Sequence, residues 1–317
     1  MKQLAIVLMV VALLLLPVFV ATPGVAQIGN CVRFAVIGDY GDAGQPAADV
    51  AAMIAGWDPD FIITTGDNNY PSGEAETIDE NIGQYYHAFI YPYTGTYGEG
   101  ADTNRFFPSL GNHDWATGDV QPYLDYFTLP HNERYYDFIW GPVHFFVVDS
   151  DPHEPDGRTY ISKQGKWIAE RLAASTAPWQ IVTMHHPPYS SGPHGSTEEL
   201  EWPYKMLGVD AVLAGHDHLY ERLLVDELPY VVNGLGGGNT IYEFDVPLPE
   251  SQVRYNDDYG AMRVTACDNQ ITFEFVARDG HVVDTFALFS GEVPAGDMLY
   301  LPFVLQTWKL RPAPDVN

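Results

Sequence analysis

The stretch Phe61-Ile62-Ile63-Thr64-Thr65-Gly66-Asp67-Asn68-Asn69-Tyr70 is an apolar, β-rich run that stops on glycine and aspartate. A run of that length without alternation reads as a strand buried on both faces. Working outward, the same grammar recurs. Arg33 to Ile37 leads into Gly38-Asp39-Tyr40-Gly41, and Phe106 to Leu110 into Gly111-Asn112-His113-Asp114. Gln180 to Met184 leads into His185-His186-Pro187, and Ala211 to Ala214 into Gly215-His216-Asp217-His218. Val143 to Val148 is a further buried run. Between the runs, Gln45 to Ala55 and Thr77 to Ile90 read as helices. A third helix, capped by Ser162, runs to about Ala174 with Trp167, Ile168 and Leu172 on one face. From Leu219 the pattern is all-β, through Tyr220 to Val225, Tyr230 to Val232, Met262 to Ala266, Ile271 to Val276 and Val282 to Leu288. This order predicts an α/β sandwich whose last strands form or complete a second sheet.

The polar clusters sit where strands stop, and in open α/β folds such loops form the ligand crevice. Each cluster alone is weak, because Gly and Asp are the commonest turn residues. Five of them in order, each after an apolar strand, point to one site. Carboxylates, an amide, a phenol and imidazoles, without thiolate, suit iron, zinc or manganese better than calcium. There is no G-x-S-x-G elbow and no P-loop.

These five blocks resemble the calcineurin-like metallophosphoesterase superfamily, and the tyrosine closing Gly66-Asp67-Asn68-Asn69-Tyr70 makes the chain similar to the small, tartrate-resistant-type purple acid phosphatases. The resemblance implies a two-sheet β-sandwich flanked by helices, an αββα arrangement, over residues 31–289. It implies Asp39, Asp67, Tyr70 and His218 as ligands of Fe³⁺. Asp67, Asn112, His185 and His216 would hold a divalent ion (Fe²⁺, Zn²⁺ or Mn²⁺), with Asp67 bridging. It also implies hydrolysis of phosphate monoesters by metal-bound hydroxide. His113 and His194 are candidates for orienting phosphate and protonating the leaving group, and Asp114 for holding the His113 ring. His194 lies on a mobile-looking loop. His186 departs from the small-enzyme pattern, which places tyrosine after the ligand histidine. Two alternatives stand beside this reading. One is a phosphodiesterase or nucleotidase of the same superfamily with a Mn²⁺ or Zn²⁺ pair. The other is a non-catalytic, acidic surface-binding protein. The glycines between Gly234 and Asn239 read as a tight turn, because no helix follows to make a phosphate cradle.

The 317 residues include 42 acidic and 15 basic ones, giving a net charge of −27. Such a surface excludes a basic groove for nucleic acid and leaves a small phosphate ester as the expected partner. Lys2, the apolar run Leu4 to Val20 and the small residues Gly24 and Ala26 read as a secretory signal over residues 1–26. The protein is thus expected to be exported, with no stable membrane span after cleavage. Residues 290–317 read as a tail and a candidate for surface retention. Export permits a Cys31–Cys267 bridge between neighbouring strands, and two buried thiols remain the other reading. Oligomeric state is not legible.

Overall fold

The computed structural model describes residues 31–238 and 240–290 and the backbone of 304–305. The expected signal, residues 1–26, and nearly all of the expected tail, 290–317, lie outside the described residues. Among the described residues no helix is long and apolar enough to cross a membrane.

Among the described residues, fourteen strands form two seven-stranded mixed sheets. The first sheet is built around β1 (Val32–Ile37), β2 (Phe61–Thr64) and β3 (Phe106–Phe107), which run parallel. It continues on the other side of β1 through β11 (Gly260–Ala266), β12 (Gln270–Ala277), β13 (Val282–Phe289) and β14 (Val304–Leu305). The second sheet has a parallel centre of β5 (Val143–Val147), β6 (Trp179–Thr183), β7 (Ala211–Ala214) and β9 (Leu228–Asn233). Its edges are β4 (Tyr136–Trp140) beyond β5, and β8 (Tyr220–Val225) then β10 (Ser251–Tyr255) beyond β9.

The pleat decides where the core lies. On the second sheet Val143, Phe145, Val147, Ile181 and Leu213 face Phe34, Phe61 and Val264 of the first. Their neighbours Phe146, Val148, Val182 and Val212 turn outward and pack with Ile168 and Leu172 of helix α5 (Lys163–Ala174). Both faces are apolar, which is why these strands carry no alternation. Ser162 caps α5 as expected, its Oγ accepting from Gly165 N at 3.1 Å. Helix α1 (Gln45–Gly56) carries Pro46 in its first turn and buries Val50 and Ile54 in the same core as the first sheet.

Two expected elements differ. The expected strand Phe106 to Leu110 is only two residues long, because Pro108 has no N–H to continue a ladder. The expected helix Thr77 to Ile90 is broken into α2 (Ala75–Ile78), a π turn at Asp79–Gly83, α3 (Gln84–Tyr86) and a 3₁₀ turn at His87–Phe89. Asp79 at the break accepts from Tyr93 Oη at 2.6 Å and Tyr126 Oη at 2.9 Å, ties that a regular helix does not predict. A short helix, α4 (Gln121–Tyr126), supplies Tyr126. Cys31 and Cys267 are disulfide-bonded next to the antiparallel pair Val32↔Ala266.

Candidate metal centre

The loops leaving β1, β2, β3, β6 and β7 meet at one edge of the sandwich. Tyr70 Oη lies 3.0 Å from Asp67 Oδ2, 3.2 Å from His218 Nε2 and 3.4 Å from Asp39 Oδ1. Asp39, Asp67 and His218 are buried, with ligand atoms all within 4.8 Å of one another. Beside them His185 Nε2 lies 2.9 Å from Asn112 Oδ1, 3.1 Å from His216 Nδ1 and 3.4 Å from Asp67 Oδ1. Asp67 touches both groups.

Two backbone carbonyls orient the rings. His218 Nδ1 pairs with Thr240 O at 2.9 Å and His185 Nδ1 with Thr65 O at 2.8 Å. Each carbonyl accepts a hydrogen bond from Nδ1–H, which leaves the bare Nε2 facing the centre as a potential ligand atom. Gly236 N donates to Gly38 O and Gly238 N to Asp39 O, each at 2.9 Å, so these glycines back the first ligand loop. Asp39, Asp67 and His216 have φ of 54°, 52° and 73°. Each such non-glycine residue costs about 1–3 kcal/mol, and such strain gathers at functional sites.

The residues present fit a pair of cations. Asp39 and Asp67 are 0% and 1% exposed, and among the described residues their ion pairs are with His218, His113 and His185. Buried carboxylates this close need positive charge nearby. Burial, and then the charges of Asp67 and Asp39, hold the Tyr70 phenol well above its usual range. A cation among the same oxygens would oppose both charges.

His113 is one-third exposed, its backbone N donates to Asp67 Oδ1 at 2.9 Å, and its ring lies 4.4 Å from that of Tyr70. Asp114 does not hold that ring, which corrects the expectation. His113 Nδ1 pairs with Pro71 O, whereas Asp114 is buried and accepts from Gly111 N at 2.8 Å and Asn68 Nδ2 at 2.8 Å. Asp114 thus ties the β2 and β3 loops together from behind. His194 is exposed, with its ring 4.2 Å from that of His216. His186 Nδ1 meets Ser150 Oγ at 3.1 Å, and the same Oγ accepts from His185 N at 3.2 Å and His186 N at 2.8 Å.

Sequence reasoning missed two residues here. Ser150 follows β5 by the same strand-end grammar and was readable. Tyr242, whose ring stacks on His218 at 4.3 Å and 4°, sits in no motif and had no signal.

Residues 32–220 match the family model described as calcineurin-like phosphoesterase. Purple acid phosphatase 17 of Arabidopsis thaliana is 29% identical over 285 residues, which is 78% of this chain and 82% of that protein. Tartrate-resistant acid phosphatase type 5 of Rattus norvegicus is 25% identical over 269 residues, 73% of this chain and 79% of that one. The structure of a purple acid phosphatase from yellow lupin (Lupinus luteus) seeds matches the fold with a TM-score of 0.67 at 21% identity. That match covers 90% of this chain and 57% of the lupin chain.

Proposed function

Since the chain belongs to the calcineurin-like phosphoesterase family, we propose that it is an exported phosphomonoesterase of the purple acid phosphatase kind, working with Fe³⁺ and a divalent ion (Fe²⁺, Zn²⁺ or Mn²⁺). Asp39, Asp67, Tyr70 and His218 would hold the ferric ion, and Asp67, Asn112, His185 and His216 the divalent one. When bound, the ions would supply Lewis acidity to the ester and activate water. The observation that carries this reading is Tyr70 Oη set among Asp39, Asp67 and His218 at 3.0–3.4 Å. A hard, anionic phenolate suits a trivalent ion.

The chain's own groups do the rest. Nε2 of His113 is free of its Pro71 contact and lies 3.9 Å from Asp67 Oδ2. With Nδ1–H on the Pro71 carbonyl, Nε2 of the imidazolium form would donate to a phosphate oxygen placed against Asn112. His194 stands at the open side and gives a proton to the leaving oxygen. The metal reading is tested by the visible spectrum and metal content. The wild type should bind iron and show a charge-transfer band that Tyr70→Phe lacks. A colourless, iron-free, active enzyme defeats it.

His186 favours a second reading, a phosphodiesterase or nucleotidase with a Mn²⁺ or Zn²⁺ pair, since the His185-His186-Pro187 order departs from the small-phosphatase pattern. A panel of phosphomonoesters and diesters separates the two.

A further inference from the structure

The loop Pro187 to Thr197 carries His194 and reads, with Gly192, Gly195 and an exposed tip, as mobile. The structure straps it down instead. Ser190 Oγ donates to Asp217 Oδ2 at 2.5 Å, and His194 N to Asp217 Oδ1 at 3.0 Å. Ser191 N donates to Glu221 Oε2 at 2.7 Å and Ser191 Oγ to Glu221 Oε1 at 2.6 Å. Gly192 N closes on Ser190 Oγ at 2.9 Å. Both carboxylates are 0% exposed. Each buried carboxyl group takes two hydrogen bonds from the loop, and in a buried setting such bonds fix their partners closely.

The placement of these two acids is informative. Asp217 lies between His216 and His218, which turn toward the metal centre, while Asp217 turns the other way and grips the loop. Glu221 follows on β8. The strand end that presents two proposed ligands therefore also sets where His194 stands, with its ring 4.2 Å from that of His216. The fit at Gly192 is close: a Cβ there would sit 2.3 Å from Asp217 Cγ, so no larger residue allows this approach.

We propose that Asp217 and Glu221 are positioning residues that hold His194 against the leaving-group oxygen, and that this suits the site to alkyl phosphates. The inference rests on the phosphomonoesterase reading. An alkoxide must be protonated as it departs, whereas p-nitrophenolate leaves without help. A loosened loop therefore penalises the first class and spares the second.

The test uses Glu221→Gln, and Ser191→Ala as a loop-side variant that leaves the β8 carboxylate in place. Hydrogen exchange across residues 187–197 should speed up at least tenfold in both variants, with β6 and β7 unchanged. The kcat for 2-glycerophosphate should fall at least tenfold, that for p-nitrophenyl phosphate less than twofold, with KM for both little changed. Combined with His194→Ala, neither variant should lower alkyl-ester turnover further, because the two changes remove one function. Unchanged exchange, equal losses on both esters, or losses that multiply with His194→Ala each overturn the proposal. If the wild type hydrolyses neither ester, the phosphomonoesterase reading falls and takes the leaving-group argument with it. Exchange then still reports whether the strap exists.

Discussion

Tyr70 is one of 20 tyrosines, and only its place three residues after Asp67 singled it out. The proposed ligands were legible because each sits at or just beyond the point where an apolar run stops, a position that needs no knowledge of the fold. Asp114 was misread for the opposite reason. Its partners Asn68 and Gly111 lie on two loops that only the folded sheet brings together. Gly66 offers a direct test of crowding at the centre. It has a φ of 93°, and a Cβ there would lie 2.6 Å from His185 Nδ1. Gly66→Ala should cost roughly 1–3 kcal/mol of stability, displace the His185 ring and lower divalent-metal content. Thermal melting with metal analysis measures both. Asp67→Ala should lower activity by at least about a thousandfold, since both proposed ion sites would use it and metal catalysis would then carry the rate. A steady-state assay at saturating metal checks this, and near-normal turnover would defeat both hydrolase readings.

Most strands were readable, including the polar-containing Tyr220–Val225 and Ile271–Val276, but two short edge strands were not. β4 was missed because Asp137 interrupts an apolar stretch, and β10 because Ser251-Gln252-Val253-Arg254-Tyr255 is half polar. In the structure Asp137 explains itself. It is buried and meets His144 Nε2 at 2.7 Å, Arg171 Nη2 at 2.7 Å and His131 Nε2 at 2.8 Å, so it joins β4, β5 and α5. Burial alone would raise its carboxyl, but the hydrogen bonds from His144 and Arg171 outweigh that and hold it well below the usual carboxylate range. A depressed carboxyl stabilises the fold fully above its unfolded value, about pH 4, and loses that contribution as pH falls through the folded value. Asp137→Asn should therefore be less stable than wild type by about 2 kcal/mol at neutral pH. The gap should persist down to about pH 4 and close below it. Denaturant melts at stepped pH would show a constant gap if the ion pair were irrelevant.

At the scale of the whole molecule, the charge of −27 and the proposed centre pull in opposite directions. The surface repels anions while the interior collects carboxylates that call for cations. Substrate approach should speed up with ionic strength between about 0.01 and 0.15 M as the Debye length shrinks. The slope of kcat/KM should be steeper for a polyphosphate than for a monoester. Equal slopes would mean that the surface field does not reach the site. The disulfide acts at the same scale. It joins residues 236 positions apart, and chain-entropy arguments give such a link up to roughly 5 kcal/mol against the unfolded state. Reduction should lower the denaturation midpoint without changing the metal-binding stoichiometry.

Asp39, Asp67, Tyr70 and Asn112 hang from one sheet, and His185, His216 and His218 from the other. Ions held among them would act as a rivet driven through the seam of the sandwich. The two sheets would then separate together or not at all. The melting temperature should climb with the logarithm of free metal concentration, and a chelator should make the seam the first place to open.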